Sequence, residues 1–197
     1  MEINANQVKE LRDRTGAGMM DCKKALTEAS GNIDRAVTVL REKGIAKAAS
    51  KEGRTTAEGV VASYVHAGDK LGVMVEINCE TDFVARTDRF KTFSRDVAMH
   101  IAATNPLCVT RDQMNPELLE KEKEIFKQQA AKEGKPEKVL DKIVEGRVEK
   151  FYAETVLLEQ PFVKDNDKTV EELVKEMIAA LGENIQIKRF ARFRLGE

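Results

Sequence analysis

The chain has 197 residues, 42 % hydrophobic and 34 % charged, and its 33 basic and 34 acidic side chains nearly cancel to a net charge of −1. That balance provides no global attraction to nucleic acid or to an acidic membrane surface, and the length allows one ordinary domain plus a small accessory one. The three cysteines, Cys22, Cys79 and Cys108, form no CxxC pair, so neither a zinc ribbon nor a disulfide framework is indicated. A reducing cytoplasm is the expected setting. No N-terminal apolar run suits a signal peptide, and no 18-residue apolar stretch suits a membrane span, so a soluble intracellular protein is expected.

Asn4 is placed to cap a first helix, with Gln7 reaching back from the third helical position and Ile3 and Val8 spaced as a hydrophobic staple. Val8 and Leu11 form its apolar face, and Thr15-Gly16-Ala17-Gly18 breaks it. Met19, Cys22, Leu26 and Ala29 then recur at helical spacing, and Ser30-Gly31-Asn32 turns the chain. Ile33, Ala36, Val37 and Leu40 form a third stripe, which Gly44 is placed to stop. Three amphipathic helices of about ten residues can bury such stripes only against one another. Residues 1–45 are therefore read as an independent three-helix bundle. Residues 46–58, rich in Ala, Lys and Gly, are read as a linker with helical character in its first half.

The period then changes to two. Residues 60–66 are a strand candidate, and Gly68-Asp69 suits a two-residue hairpin turn. In the next strand Leu71, Val73, Val75, Ile77 and Cys79 face one way, while Gly72, Met74, Glu76, Asn78 and Glu80 face the other. Thr87 can cap a helix carrying Phe90, Phe93, Val97 and Ile101, which ends near Thr104-Asn105-Pro106. Asn115-Pro116 opens a further helix bearing Leu118, Leu119, Ile125 and Phe126. Gly134-Lys135-Pro136 turns it into a second one bearing Leu140, Ile143, Val144, Val148 and Phe151. Residues 116–158 are thus predicted to form an antiparallel helical hairpin. Thr169 with Glu172 is a capping box for a last helix with Val170, Leu173, Val174, Met177 and Leu181, stopped at Gly182. Ile185, Ile187, Phe190 and Phe193 belong to a final strand whose odd spacing predicts a bulge or twist. The predicted class is α+β: a helical head, then a core over 59–197 with a small antiparallel three-stranded sheet and an inserted helical hairpin.

Catalytic signals are thin. The two histidines, His66 and His100, fall on different predicted elements, and GxSxG, HExxH and GxxxxGK[ST] are absent. Gly16-Ala17-Gly18 followed by Lys23 superficially resembles a phosphate loop, but no strand precedes it and the spacing is wrong. Cys79 sits in the buried alternation and Cys22 in a helix stripe, so a thiol-dependent enzyme is disfavoured, and no ligand-spaced set suggests a metal. The unusual stretch is Glu76-Ile77-Asn78-Cys79-Glu80-Thr81-Asp82-Phe83-Val84-Ala85-Arg86. A strand runs straight into a cap residue, Thr81, then an acid suited to a helix start, then a large aromatic. Phe83 has two readings there, a residue tucked under the next helix or a rigidly presented interface anchor.

Leu11-Arg12-Asp13-Arg14-Thr15-Gly16-Ala17-Gly18-Met19-Met20-Asp21-Cys22-Lys23-Lys24-Ala25-Leu26 resembles the N-terminal signature of the elongation factor Ts family. Thr81-Asp82-Phe83-Val84 resembles its second signature, and Arg192-Phe193-Arg194-Leu195-Gly196-Glu197 is similar to the family's carboxyl end. The resemblance implies guanine-nucleotide exchange on elongation factor Tu, GDP-bound and nucleotide-free, without cofactor or covalent chemistry. It implies that the head is ubiquitin-associated-like and docks through Arg12, Met19 and Met20, where flexible thioethers adapt to a partner surface. It implies too that Asp82 and Phe83 wedge beside the partner's magnesium ion while Thr81 and Val84 hold the corner in shape. Ala98-Met99-His100-Ile101-Ala102-Ala103 is similar to a helix of longer members, which makes His100 either a partner contact or a satisfied, half-buried histidine. With only one sheet to build, the chain matches a short single-core form, and short members tend to be homodimers. The basic set Lys188, Arg189, Arg192 and Arg194 is read as a salt-bridged edge rather than an RNA site. The rival reading is a binding adaptor with a ubiquitin-associated-like head and no effect on nucleotide.

Overall fold

The computed structural model describes residues 3–134 and 136–197. Helix α1 (Ala5–Thr15) begins at the box foreseen for it: Gln7 accepts the Asn4 N–H at 3.1 Å, and the Asn4 side chain accepts in return from the first turn. It ends at Gly16, whose φ of +63° is a left-handed cap favouring glycine. Helices α2 (Met19–Glu28) and α3 (Ile33–Ala49) follow, and the stripes meet as expected, with Leu11, Cys22, Leu26 and Ala36 fully buried.

Two details differ. Met19, the first residue of α2, stands outside that interior and is exposed. Gly44 does not stop α3, which continues to Ala49. It lies instead against Ala179 of helix α8 (Val170–Leu181), where an added Cβ would come within 3.3 Å of the Ala179 methyl. A mid-helix glycine costs about 0.5–1 kcal/mol relative to alanine; here it permits close helix approach. Arg41 of α3 also pairs with Glu172 of α8. The three helices accordingly belong to a compact unit that runs up to Val61 and includes Ile77–Ser94 and Glu172–Gln186. A second unit comprises Ala62–Glu76, Arg95–Glu171 and Ile187–Glu197.

Strands β1 (Glu58–Val65), β2 (Leu71–Cys79) and β5 (Ile185–Arg194) form the antiparallel sheet in the order β1-β2-β5. Val73, Val75, Ile77 and Cys79 are buried, as the alternation requires. The β1–β2 turn is wider than two residues: His66 donates to the Leu71 carbonyl at 2.9 Å, leaving 67–70 as the loop. Along β5 burial holds at Ile185 and Ile187 and then changes phase, so that Phe190 is half-buried and Phe193 exposed.

Thr87 caps α5 (Asp88–Thr104) by accepting the Phe90 N–H at 3.2 Å, and Phe90, Phe93, Val97 and Ile101 are buried. In the second unit α6 (Pro116–Lys132) and α7 (Glu137–Thr155) make the expected hairpin. Phe126 and Phe151 meet edge-on at 6.3 Å along a seam that is mostly half-buried. Lys135 of the turn lies outside the described residues. Arg111 braces the hairpin, bonded to Glu149 at 2.7 Å and Glu159 at 2.5 Å and stacked 4.2 Å above the Tyr152 ring. A second, two-stranded sheet pairs β3 (Pro161–Phe162) with β4 (Asp165–Thr169). Sequence reasoning missed it, because Asp165-Asn166-Asp167-Lys168-Thr169 has no apolar alternation to read. Among the described residues no helix is long and apolar enough to cross a membrane.

Candidate functional site

The corner after β2 is assembled from both sides of the chain's fold in the first unit. Thr81 is the N-cap of α4 (Asp82–Ala85), a single helical turn closed by Ala85 N–H to Thr81 O at 3.3 Å and Arg86 N–H to Asp82 O at 3.1 Å. Phe83 projects from that turn with 81 % of its surface exposed. This rules out the reading of a residue tucked under the next helix, since a core residue would be covered. Ala85, two positions on, is the residue of the turn that is buried. Val84 is half-buried, and its carbonyl accepts from the Thr87 N–H at 3.0 Å and hydroxyl at 2.8 Å, which ties the corner to the start of α5.

Asp82 occupies the first position of α4, where a carboxylate complements the exposed amide ends. It also pairs with Arg86 at 2.9 Å, in a bridge largely open to solvent. Such an exposed pair contributes about 0–1 kcal/mol, so a partner can displace it cheaply. Behind the corner the Cys79 thiol donates to the Thr81 carbonyl at 3.2 Å. Burial, and then the nearby Glu183 carboxylate, push that thiol above its usual value, so it stays a proton donor. Cys22 is likewise buried and pushed up by desolvation. Neither has the low-pKa, accessible setting of a reactive thiolate.

The head contributes a second exposed surface in the same unit. Arg12, Met19 and Met20 are all exposed, the two methionines opening α2. Arg89, near the start of α5, donates to the Gly16 carbonyl at 2.7 Å and so holds the turn that leads into them. Arg89 escaped sequence reasoning, because nothing near it in the chain points to residue 16.

Of the two readings of His100, a partner contact or a satisfied, half-buried histidine, the structure shows a satisfied histidine that is more buried than expected. It is fully enclosed in the second unit, with Nε2 2.9 Å from the Gln160 side-chain oxygen and Nδ1 accepting the Val163 N–H at 3.3 Å. That donor–acceptor pattern requires the neutral ring, and burial depresses its pKa below the usual histidine value. A partner would reach it only by opening the packing around Phe162, whose ring lies 5.8 Å away. Three of the four basic residues of β5 form ion pairs, Arg189 with Glu76 at 2.7 Å and Arg192 and Arg194 with Glu197 at 3.0 and 3.6 Å.

The geometry leaves exposed a thioether pair on the head and an aromatic with an adjacent acid on a pinned corner. The family model described as elongation factor TS matches residues 2–197. The elongation factor Ts of Alkaliphilus oremlandii is 62 % identical over 197 residues, all of this chain and 91 % of that protein. That of Acetivibrio thermocellus is 60 % identical over 195 residues, covering 99 % of this chain and 91 % of its own length. That of Caldanaerobacter subterraneus subsp. tengcongensis is 59 % identical over 195 residues, 99 % of this chain and 98 % of its own. The chain belongs to the elongation factor Ts family. It is a translation elongation factor and not an enzyme.

Proposed function

We propose that the chain accelerates GDP release from elongation factor Tu by setting Asp82 and Phe83 beside that partner's magnesium ion. The observation that carries this reading is the 81 % exposure of Phe83 on a corner whose backbone is held from several sides. A large apolar ring left in water has no folding benefit, but buried in a partner it contributes about 1.5–3 kcal/mol. Disturbing the ion removes the main counter-charge of the nucleotide phosphates, which loosens GDP. Thr81 and Val84 keep the corner in shape, while Arg12, Met19 and Met20 dock the ubiquitin-associated-like head (1–45), joined through 46–58 to a core over 59–197. Both GDP-bound and nucleotide-free partner are bound, because the factor and GDP must weaken each other by the same ratio. The setting is the cytoplasm. The active species is a homodimer, a reading supported by the exposed apolar residues Val65, Met74 and Phe193, one on each of three adjacent strands. Release of fluorescent GDP from elongation factor Tu, with and without the chain, tests the proposal. An unchanged release rate at saturating factor overturns it in favour of an adaptor.

A further inference from the structure

The one-turn helix α4 cannot fix its own place. Its cap is weak, with the Val84 N–H 3.5 Å from the Thr81 hydroxyl, and a single turn carries the full cost of helix nucleation. The corner is held instead by a residue a hundred positions away. Glu183, just past the end of α8, accepts the Glu80 N–H at 3.1 Å and the Thr81 N–H at 3.0 Å on one carboxylate oxygen. Its other oxygen accepts the Thr81 hydroxyl at 2.6 Å. The clasp is reciprocal. Glu80 accepts the Asn184 N–H at 2.6 Å and lies 3.7 Å from Arg54, while the buried Asn184 amide donates to the Arg54 carbonyl at 2.9 Å. All these residues belong to the first unit.

From this geometry we infer that Glu183 is the positioning residue of the exchange corner: it touches no partner but sets the direction in which Asp82 and Phe83 are presented. The inference rests on the reading of that corner as the exchange element. Hydrogen bonds to an ionised acceptor are about twice as strong as neutral ones, and three of them converge on the two residues immediately before Asp82. Without them residue 80 is still held by Asn184 and Arg54, but Thr81 keeps only the Cys79 thiol and short-range bonds among the contacts described, so the aromatic two positions on must be ordered again at each encounter.

The test is a double-mutant cycle in the full-length chain. Glu183→Ala should slow maximal factor-stimulated GDP release by about tenfold, short of the hundredfold that about 1 Å of misplacement can cost. The factor concentration giving half-maximal release should change little, because the head still docks. Glu183→Gln retains an oxygen for the two N–H groups and should recover most of the loss. In the Phe83→Ala background Glu183→Ala should have no further effect, since it acts through that ring. Equal slowing in both backgrounds would overturn the inference. A second readout is independent of exchange. Phe83→Trp creates the only tryptophan in a chain that has none, and its fluorescence anisotropy in the free protein should fall with Glu183→Ala and return with Glu183→Gln. Unaltered anisotropy would refute positioning even if Glu183→Ala were slow, and it remains readable at low temperature if that variant is less stable. If anisotropy falls but Phe83→Ala exchanges normally, Glu183 still positions the corner and the assignment of the corner to exchange is what fails.

Discussion

Truncating Phe83 to alanine separates a ring that serves the fold from one that serves a partner. The ring is 81 % exposed, so its removal deletes almost no buried area, and the free protein should lose no more than about 0.5 kcal/mol, as for an ordinary surface substitution. Phe90, on the next helix, has no exposed surface; Phe90→Ala should cost about 3–5 kcal/mol in transfer and cavity energy. If the Phe83 ring is buried on docking, its loss removes about 1.5–3 kcal/mol of binding, or about 10- to 100-fold at about 1.4 kcal/mol per decade. Stopped-flow release of fluorescent GDP from elongation factor Tu, at several factor concentrations, reads that ratio directly, and thermal melts of the same preparations read the stability. Asp82→Ala should act in the same direction and more weakly, since its carboxylate already shares an exposed pair with Arg86. A large loss of melting temperature in Phe83→Ala, with exchange unchanged where the protein is folded, would refute the reasoning.

Acid should destabilise the second unit through His100. Its pKa in the fold is lowered from an ordinary 6.5 by burial, so the stability it contributes is complete above that value and is lost as the pH falls below it toward the depressed one. Urea unfolding between pH 7.5 and 5 should show this slope, and His100→Gln should flatten it; an identical slope in the variant would count against the assignment. Gly44→Leu should force α3 from Ala179 and cost about 1–3 kcal/mol by overpacking, whereas a melting temperature equal to that of the parent would show that the two helices do not need their close approach. Light scattering at micromolar concentration should report twice the 22.0 kDa of one chain, and a particle of 22.0 kDa throughout would rule out the homodimer.

Most of the local structure was legible because it depends on residues close together in the chain. The Asn4–Gln7 box, the strict alternation of Val73, Val75 and Ile77, the Thr87 cap and the Asn115-Pro116 start are each set by a few neighbouring side chains. The same is true of Thr81 as the cap of a turn bearing Asp82 and Phe83. What no local pattern contains is the pairing of distant residues. Gly44 reads as a helix stop until Ala179 is found against it, and nothing near Arg41 in the chain points to its pairing with Glu172. His100 has the spacing of a half-buried residue, and only the approach of Gln160 and Val163 encloses it and fixes its neutral form. Whether Phe83 tucks in or stands out was equally undetermined, because helical spacing near a strand end fits both. Tertiary structure decides it: Glu183 takes the amides of residues 80 and 81, the corner is held in one orientation, and the ring points into solvent.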